Sequence, residues 1–209
     1  MERLSFYFRD GCPTIPLDGP EGSRVMLANA AAMNYGFAFR AATYGTLSRV
    51  AREVFGARDV RLVVDSPHNS IYEEEVGGQT ALVHRHNSCR AYPAEKMPAG
   101  TPFGDVGQAV LVPGTHRTSS YLCVASGAAH RSLYSACHGA GTIIDSFAQS
   151  GVSGPSEDGH STLRFRYGDN DPVPVEHLDD RGVDEALAIL SRNDLVRPVA
   201  RMRPVAVLN

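Results

Sequence analysis

The chain has 209 residues, of which 43% are hydrophobic and 21% charged. This balance is typical of a globular protein with a hydrophobic core and argues against a disordered chain. The 20 basic and 23 acidic side chains give a formal net charge of −3, so overall charge does not indicate a nucleic-acid partner.

The N-terminus and the cysteines indicate the compartment in which we expect the protein. The first residues carry charges within their apolar stretch, and the chain contains no run of about 18 apolar residues. We therefore expect no signal peptide and no membrane span, and we expect a cytoplasmic protein. The four cysteines are widely spaced and form no CxxC pair, so neither a disulfide framework nor a zinc knuckle is indicated.

A long helix is the first predicted element. Residues 1–19 contain helix-breaking prolines and a glycine, so they should be an extended lead-in. Residues 18–21 combine a capping residue, a proline and an acidic residue, which indicates a helix start. Apolar residues then recur at helical spacing to about residue 55, with Gly36 and Gly45 as candidate breaks. One side is rich in alanine, which permits close packing against a sheet.

The rest of the chain mixes short strands with short helices. We predict strands at residues 60–64, 80–83, 109–112, 120–124 and 163–167, a last strand in the tail around residues 199–207, and helices at residues 128–134 and about 183–191. The Gly/Ser/Pro-rich residues 149–161 should form a mobile loop. These patterns predict an α+β fold, with mixed sheets and packed helices, in a single domain over residues 1–209.

Two loops in the middle of the chain carry histidines. The sequence DSPHN at residues 65–69 presents His68 at a strand end, where a neutral imidazole can bind a transition metal while a carboxylate such as Asp65 holds its other nitrogen. A plain loop histidine is the simpler interpretation. The sequence LVHRHNSCR at residues 82–90 has two arginines and two histidines within seven residues. This cluster suits phosphate, although a solvated turn explains it equally well.

Two later loops have compositions that suit nucleotides. The sequence PGTHRTSSY at residues 113–121 offers backbone N–H groups and hydroxyls that can surround a phosphate or a base. The alternative is a hydroxyl-rich turn that caps a strand. In CHGAG at residues 137–141, the small residues after His138 let a large ligand approach the backbone. His138 can act there as a base, a metal ligand or a nucleophile.

Taken together and in this order, the sequence segments resemble the RtcB family of RNA-splicing ligases. The matching stretches are PLDGPEG with AAAMNYGFAFR, DSPHNSIYEEE, LVHRHNSCRAYP, GQAVLVPG with TSSYL, SACHGAG and VARMRPVAV. The resemblance runs from about residue 11 to the end and corresponds to the C-terminal half of a family member. It implies the fold of the C-terminal part of that ligase.

The resemblance also implies an activity and a set of site residues. It implies a GTP- and Mn²⁺-dependent ligase that joins RNA 3′-phosphate or 2′,3′-cyclic phosphate ends to 5′-hydroxyl ends through a guanylylated histidine. Carried over to this chain, His138 is the nucleophile and His68 is a manganese ligand. The implied GTP contacts are Asn69, Pro113, Gly114, Thr115, Ser120, Ala140 and Gly141.

Several departures from the family pattern leave three interpretations open. The family's other metal ligands belong to its N-terminal half, two arginines after HGAG are replaced here by Thr142 and Ser146, and a C-terminal lysine is missing. The loop at residues 149–161 is expected to replace the helix that follows HGAG. The chain can be a ligase that needs a partner chain or a homodimer, a degenerate nucleotide- or RNA-binding module, or a structural remnant.

Overall fold

A computed structural model describes residues 7–9, 12–56, 59–150, 159–166, 168, 171–176 and 180–208. These residues form a mixed α and β structure, which confirms the predicted class. The helices are α1 (Pro20–Phe55), α2 (Gly141–Gln149) and α3 (Arg181–Arg192), with 3-10 helices at Ala94–Lys96 and Gly127–Ser132. The strands are β1 (Tyr7–Arg9), β2 (Cys12–Thr14), β3 (Ser70–Val76), β4 (Gln79–Arg85), β5 (Ser88–Arg90), β6 (Ala109–Val112), β7 (Ser120–Ala125), β8 (Ser135–Cys137), β9 (Ser161–Phe165), β10 (Val173–Glu176), β11 (Val196–Met202) and β12 (Ala206–Leu208).

Helix α1 is a single uninterrupted helix of 36 residues. It begins after Gly19, whose carbonyl accepts the N–H of Ser23 at 3.1 Å, and it ends at Gly56, whose φ of 63° is left-handed. Gly36 and Gly45 lie inside it without breaking it. Each glycine lowers the stability of a helix by about 1 kcal/mol relative to alanine, and the high helix propensity of the surrounding alanines offsets that loss.

Helix α1 is largely exposed among the residues that the structure describes. Its buried residues are Gly22 and Ser48, and apolar side chains along most of its length are exposed. The exposed set includes Leu27, Tyr35, Phe39, Leu47 and Val54. Small alanine side chains permit close packing, but the chain brings no sheet across most of this face in the residues that the structure covers.

Residues 60–71 run back along α1 instead. The Tyr44 hydroxyl donates to the Val60 carbonyl at 2.7 Å, and the Asn29 carboxamide oxygen accepts the N–H of Ile71 at 3.3 Å. The strand predicted at residues 60–64 is therefore not formed. This segment has the composition of a strand, but its Val60 carbonyl accepts a hydrogen bond from the Tyr44 side chain of α1.

The core lies between a three-stranded antiparallel sheet, in the order β11-β7-β6, and helix α3. Strand β6 has the predicted bounds, and β7 extends one residue past its predicted end. Apolar side chains of the sheet, of β5 and β8, and of α3 form one buried cluster, which includes Val110, Cys123, Ala136, Val183 and Leu190. The predicted helix at residues 183–191 is confirmed as part of α3, which has a buried apolar face.

Strand β3 was missed by the sequence analysis. It pairs with β4 as an antiparallel hairpin closed by Gly77 and Gly78, which have φ of 59° and 79°. The run of three glutamates concealed this strand, because charged residues are depleted in strands. The Gly-Gly turn before an apolar run was the available signal for a hairpin.

The region after HGAG also differs from expectation. Helix α2 follows directly, so the helix expected there is present and is not replaced by a loop. Most of the loop predicted at residues 149–161 lies outside the described residues, and β9 begins at Ser161. Strand β9 pairs with β10 antiparallel and with β12 parallel. Among the helices that the structure describes, none combines the length and apolarity that a membrane span requires.

Candidate functional site

Two imidazoles form the centre of the candidate site. His68 precedes β3, and His138 follows β8. Their ring centroids lie 4.7 Å apart with an interplanar angle of 6°, so the rings are stacked. The fold thus brings together two histidines that are 70 positions apart in the sequence.

Backbone contacts hold His138 in place. Its N–H donates to the Asn87 carbonyl at 2.8 Å, which continues the β5–β8 pairing past Cys137. Its Nδ1 lies 3.3 Å from the carbonyl oxygen of Leu111, near the C-terminal end of β6. Because a carbonyl only accepts, this contact assigns the proton to Nδ1 and leaves the lone pair on Nε2.

The opposite loop is fastened to the same residue. The carboxamide oxygen of Asn69 accepts the N–H of Asn87 at 3.0 Å, and the His68 carbonyl accepts the N–H of Ser88 at 3.0 Å. Asn87 therefore contacts both histidine loops through its backbone. Its φ of 49° lies in the left-handed region that asparagine tolerates better than most residues. The sequence analysis did not identify this role, although Asn87 directly precedes the β5 segment.

The environment keeps His138 neutral. Burial lowers its pKa from the ordinary value of 6.5, and repulsion from His68 lowers the pKa further. The Leu111 carbonyl acts in the opposite direction and raises it. The net decrease leaves an uncharged imidazole with an available Nε2 lone pair at neutral pH, which is the form required of a nucleophile.

The loop at residues 113–120 is closed on itself. The Gly114 N–H donates to the Ser120 hydroxyl and the Thr115 N–H to the Thr118 hydroxyl, both at 2.9 Å. The Arg117 N–H donates to the Thr115 hydroxyl at 3.0 Å. These three N–H groups therefore already have acceptors within the loop, and the GTP-binding roles of Pro113, Gly114, Thr115 and Ser120 stay predictions.

Helix α3 and the tail anchor that loop from behind. The buried Asp180 accepts the Ser119 N–H at 2.7 Å and forms an ion pair with Arg201 of β11. Arg201 also donates to the Ser119 hydroxyl at 3.0 Å. A carboxylate shared between a backbone N–H and a guanidinium fixes the loop against the core sheet.

The remaining predicted nucleotide residues lie at the start of α2. Ala140 is fully buried and belongs to the core cluster, so its side chain faces the protein interior. Gly141 is the first residue of α2, and a Cβ there would meet no atom within 4 Å. The backbone at this helix start remains open to a bulky ligand, and the GTP-binding roles of both residues stay predictions.

The cationic patch predicted at residues 82–90 is not formed as a phosphate site. Arg85 is buried and pairs with Glu74 at 2.8 Å. The Arg90 guanidinium lies against the rings of Tyr72 and Tyr92, at 4.8 and 4.5 Å. Both arginines therefore belong to an internal network of the β3–β4 hairpin.

The residues that could hold a metal are few. No group of three or more His, Cys, Asp or Glu side chains with metal-binding geometry occurs in the described part of the chain. Asp65, which was expected to orient His68, forms an ion pair with Arg40 at 2.5 Å instead. His68 and His138 are thus the candidate nitrogen donors that the fold brings together.

Comparison with known proteins identifies the family of this chain. The family model described as tRNA-splicing ligase RtcB matches residues 11–209. This chain belongs to the RtcB family. It is similar to the tRNA-splicing ligase RtcB of Pyrococcus furiosus, with 30% identity over 93% of this chain and 22% of that protein. It is also 30% identical to the RNA-splicing ligase RtcB of Mycobacterium tuberculosis, over 91% of this chain and 46% of that protein.

The RtcB match covers nearly all of this chain but only part of its relatives. The chain spans less than half the length of these two RtcB proteins and 43% of the Aeropyrum pernix protein, to which it is 27% identical. The matched region includes both histidine loops and Asn87. Membership of the family therefore rests on the part of the fold that carries the histidine stack.

Proposed function

We propose that this chain contributes the guanylylated histidine of a GTP- and manganese-dependent RNA ligase, and that it acts with a partner chain. The observation that carries the proposal is the stack of a half-buried, neutral His138 on His68 in a chain of the RtcB family. The ligase activity itself is inferred from the names of the relatives.

The proposed reaction has three steps. His138 Nε2 bonds to the α-phosphorus of GTP while the bond from that phosphorus to the β-phosphate oxygen breaks, and pyrophosphate leaves. An oxygen of an RNA 3′-phosphate then bonds to the guanylyl phosphorus, and the nitrogen–phosphorus bond breaks. Finally, a 5′-hydroxyl oxygen bonds to the phosphorus of the 3′-phosphate, GMP leaves, and the hydroxyl proton passes to solvent.

The surroundings of His138 support the first step. The Leu111 carbonyl at Nδ1 stabilises the positive charge that the ring gains as Nε2 bonds to phosphorus. The hydrogen bond from the His138 N–H to the Asn87 carbonyl fixes the backbone that carries the ring. The low bulk of Gly139 and Gly141 leaves the backbone beside the ring accessible to a nucleotide.

The described residues do not complete a manganese site. When bound, manganese neutralises phosphate charge and orients the attacked phosphorus. Two imidazoles are too few donors for a catalytic ion, which needs several ligands of suitable type. We therefore assign the other ligands to a partner chain that corresponds to the N-terminal part of the longer relatives.

Helix α1 offers a surface for such a partner. Leu27, Tyr35 and Phe39 are 71%, 73% and 62% exposed, and Leu47 and Val54 continue this exposed apolar set. Exposed apolar surface of this extent usually marks an interface. A second copy of the chain is the alternative occupant, and light scattering on the purified protein separates the two.

A catalytically degenerate nucleotide- or RNA-binding module is the second candidate function. Thr142 and Ser146 stand where the family pattern has arginines, so two cations for phosphate are missing. The N–H groups at the start of the 113–120 loop are also occupied internally. Both observations favour weaker binding of phosphates than in an active ligase.

Labelling with GTP tests the proposal. The protein is incubated with Mn²⁺ and GTP labelled at the α-phosphate, with and without the N-terminal half of an RtcB relative. We expect acid-labile label on the wild type and on His130→Ala, a matched change of an exposed histidine, but not on His138→Ala. If no condition gives label while GTP or RNA still binds, the proposal is wrong and the binding module is supported.

A further inference from the structure

The two histidines of the candidate site are attached to different sheets. His68 precedes the β3–β4 hairpin, and His138 follows β8, which pairs with β5. The chain passes from one sheet to the other between Arg85, the last residue of β4, and Ser88, the first residue of β5. The distance between the two imidazoles therefore depends on the backbone conformation of this junction, residues 86–87.

Asn87 bonds to both histidine loops through its own peptide groups. Its N–H donates to the Asn69 carboxamide oxygen at 3.0 Å, next to His68, and its carbonyl accepts the N–H of His138 at 2.8 Å. The N–H and the C=O of one residue are related by its φ and ψ angles, since the peptide units on either side are planar. A change of φ at Asn87 would therefore turn one of these groups away from its partner and shift the two loops relative to each other.

The backbone of Asn87 has a conformation that few residue types adopt. Its φ of 49° lies in the left-handed region. A Cβ disfavours this region, which asparagine tolerates better than most residues and glycine adopts freely, whereas a β-branched residue is a rare outlier there. The residue type at position 87 therefore decides whether the junction can keep both hydrogen bonds.

We propose that Asn87 is a positioning residue for the histidine stack. Its left-handed backbone holds the His138 ring against the His68 ring, with 4.7 Å between the ring centroids. This role rests on the proposed ligase function, in which His138 Nε2 bonds to the α-phosphorus of GTP. The carboxamide of Asn87 takes no part in the two backbone hydrogen bonds, so the backbone angle is the property that acts on His138.

Substitutions at position 87 test this role by NMR of the full chain, without metal and without GTP. The measurement is the nuclear Overhauser effect between the ring protons of His68 and His138, assigned from the spectra of His68→Ala and His138→Ala. We expect this ring-to-ring effect to persist in Asn87→Gly, to weaken in Asn87→Ala and to be lost in Asn87→Val. The order follows the ease with which each residue adopts a positive φ. Asn87→Ala carries less strain, so it decides the outcome if Asn87→Val does not fold.

Asp194→Val is the matched control. Asp194 is exposed and has a φ of 52°, so a valine there meets the same backbone strain as a valine at position 87. It follows α3, and its carbonyl accepts the N–H of Ala128 at 3.1 Å. We expect Asp194→Val to be destabilised in urea, as Asn87→Val is, but to keep the ring-to-ring effect.

The same variants are then compared in guanylylation, with Mn²⁺ and GTP labelled at the α-phosphate, under the condition that labels the wild type. Asn87→Val should lower the labelling rate at saturating GTP about tenfold or more, because a nucleophile displaced by a fraction of an ångström reacts far more slowly. The GTP concentration that gives half the maximal rate should change much less. Asn87→Gly should recover most of the rate, and Asp194→Val should keep it.

Each unfavourable result has a separate meaning. The positioning role is overturned if the wild type lacks the ring-to-ring effect, if Asn87→Gly loses it, if both Asn87→Ala and Asn87→Val keep it, or if Asp194→Val loses it as well. A protein that shows the expected order but takes no guanylyl label would refute the ligase reaction and leave the positioning of the stack intact. A normal labelling rate in an Asn87→Val that has lost the effect would refute only the part of Asn87 in the reaction.

Discussion

Removal of Arg85 should destabilise the fold more than removal of any exposed arginine. The Arg85 and Glu74 side chains are 1% and 0% exposed, and they are 2.8 Å apart. Arg85 also donates to the Ser135 hydroxyl at 2.9 Å and to the carbonyls of Leu133 and Tyr134 at 3.0 and 3.2 Å. Through these bonds it ties the β3–β4 hairpin to the segment that leads into β8 and His138.

The expected magnitude follows from this burial. Arg85→Ala leaves the Glu74 carboxylate buried without its cation, and breaking a buried pair in this way typically costs about 3–5 kcal/mol. Glu74→Gln combined with Arg85→Ala should cost less, because no buried charge is left. Arg49→Ala, which breaks an exposed pair with Glu53, should change the stability by less than about 0.5 kcal/mol.

Urea unfolding followed by circular dichroism measures these differences. The midpoint for Arg85→Ala should decrease sharply with little change in slope, the double variant should lie between it and the wild type, and Arg49→Ala should overlay the wild type. If Arg85→Ala costs less than about 1 kcal/mol, the buried pair does not connect the hairpin to β8 as described.

Three further changes test the loops around the stack. Gly114→Ala should destabilise the protein and lower its thermal midpoint, because the new Cβ would lie 2.0 Å from the Ser119 carbonyl oxygen. Asp180→Ala should cost about 1–3 kcal/mol in urea unfolding, since it leaves the Ser119 N–H buried without an acceptor, whereas Asp180→Asn should cost less. In the metal-free protein, NMR titration should find the His138 pKa below 6.5, and His68→Ala should move it back toward 6.5. Because His138 takes up a proton at higher pH in the unfolded chain than in the folded protein, its contribution to stability is complete above pH 6.5. That contribution is lost as the pH falls through the folded pKa of His138.

Local sequence patterns correctly predicted the elements that need only a nearby apolar core to pack against. Strands β6 and β7 and helix α3 follow from short apolar runs and helical periodicity, which depend only on each segment and on a nearby core. The start of α1 follows from the signal at residues 18–21, and its end near residue 55 follows from the helical spacing of apolar residues. The motif order identified the family, and with it the two histidines that the structure brings together.

Composition misled where the decisive partner is distant in sequence. The segment at residues 60–64 has a strand composition but lies along α1 rather than beside another strand. Strand β3 has a composition unlike a strand, yet Glu74 is buried there because Arg85 neutralises it. Neither outcome can be derived from the segment itself, since the deciding group belongs to another element.

The sequence by itself determined the family, the class of fold and the residues from which the candidate site is built. Only the tertiary structure decided what the charged and polar groups face. Arg85, a candidate phosphate ligand in the sequence, lies in a buried ion pair in the structure, and Arg40 lies at a cavity beside His68. The physical reason is that burial and hydrogen-bond partners are properties of the packed chain, and Arg85 and Ser135 meet across 50 positions of sequence.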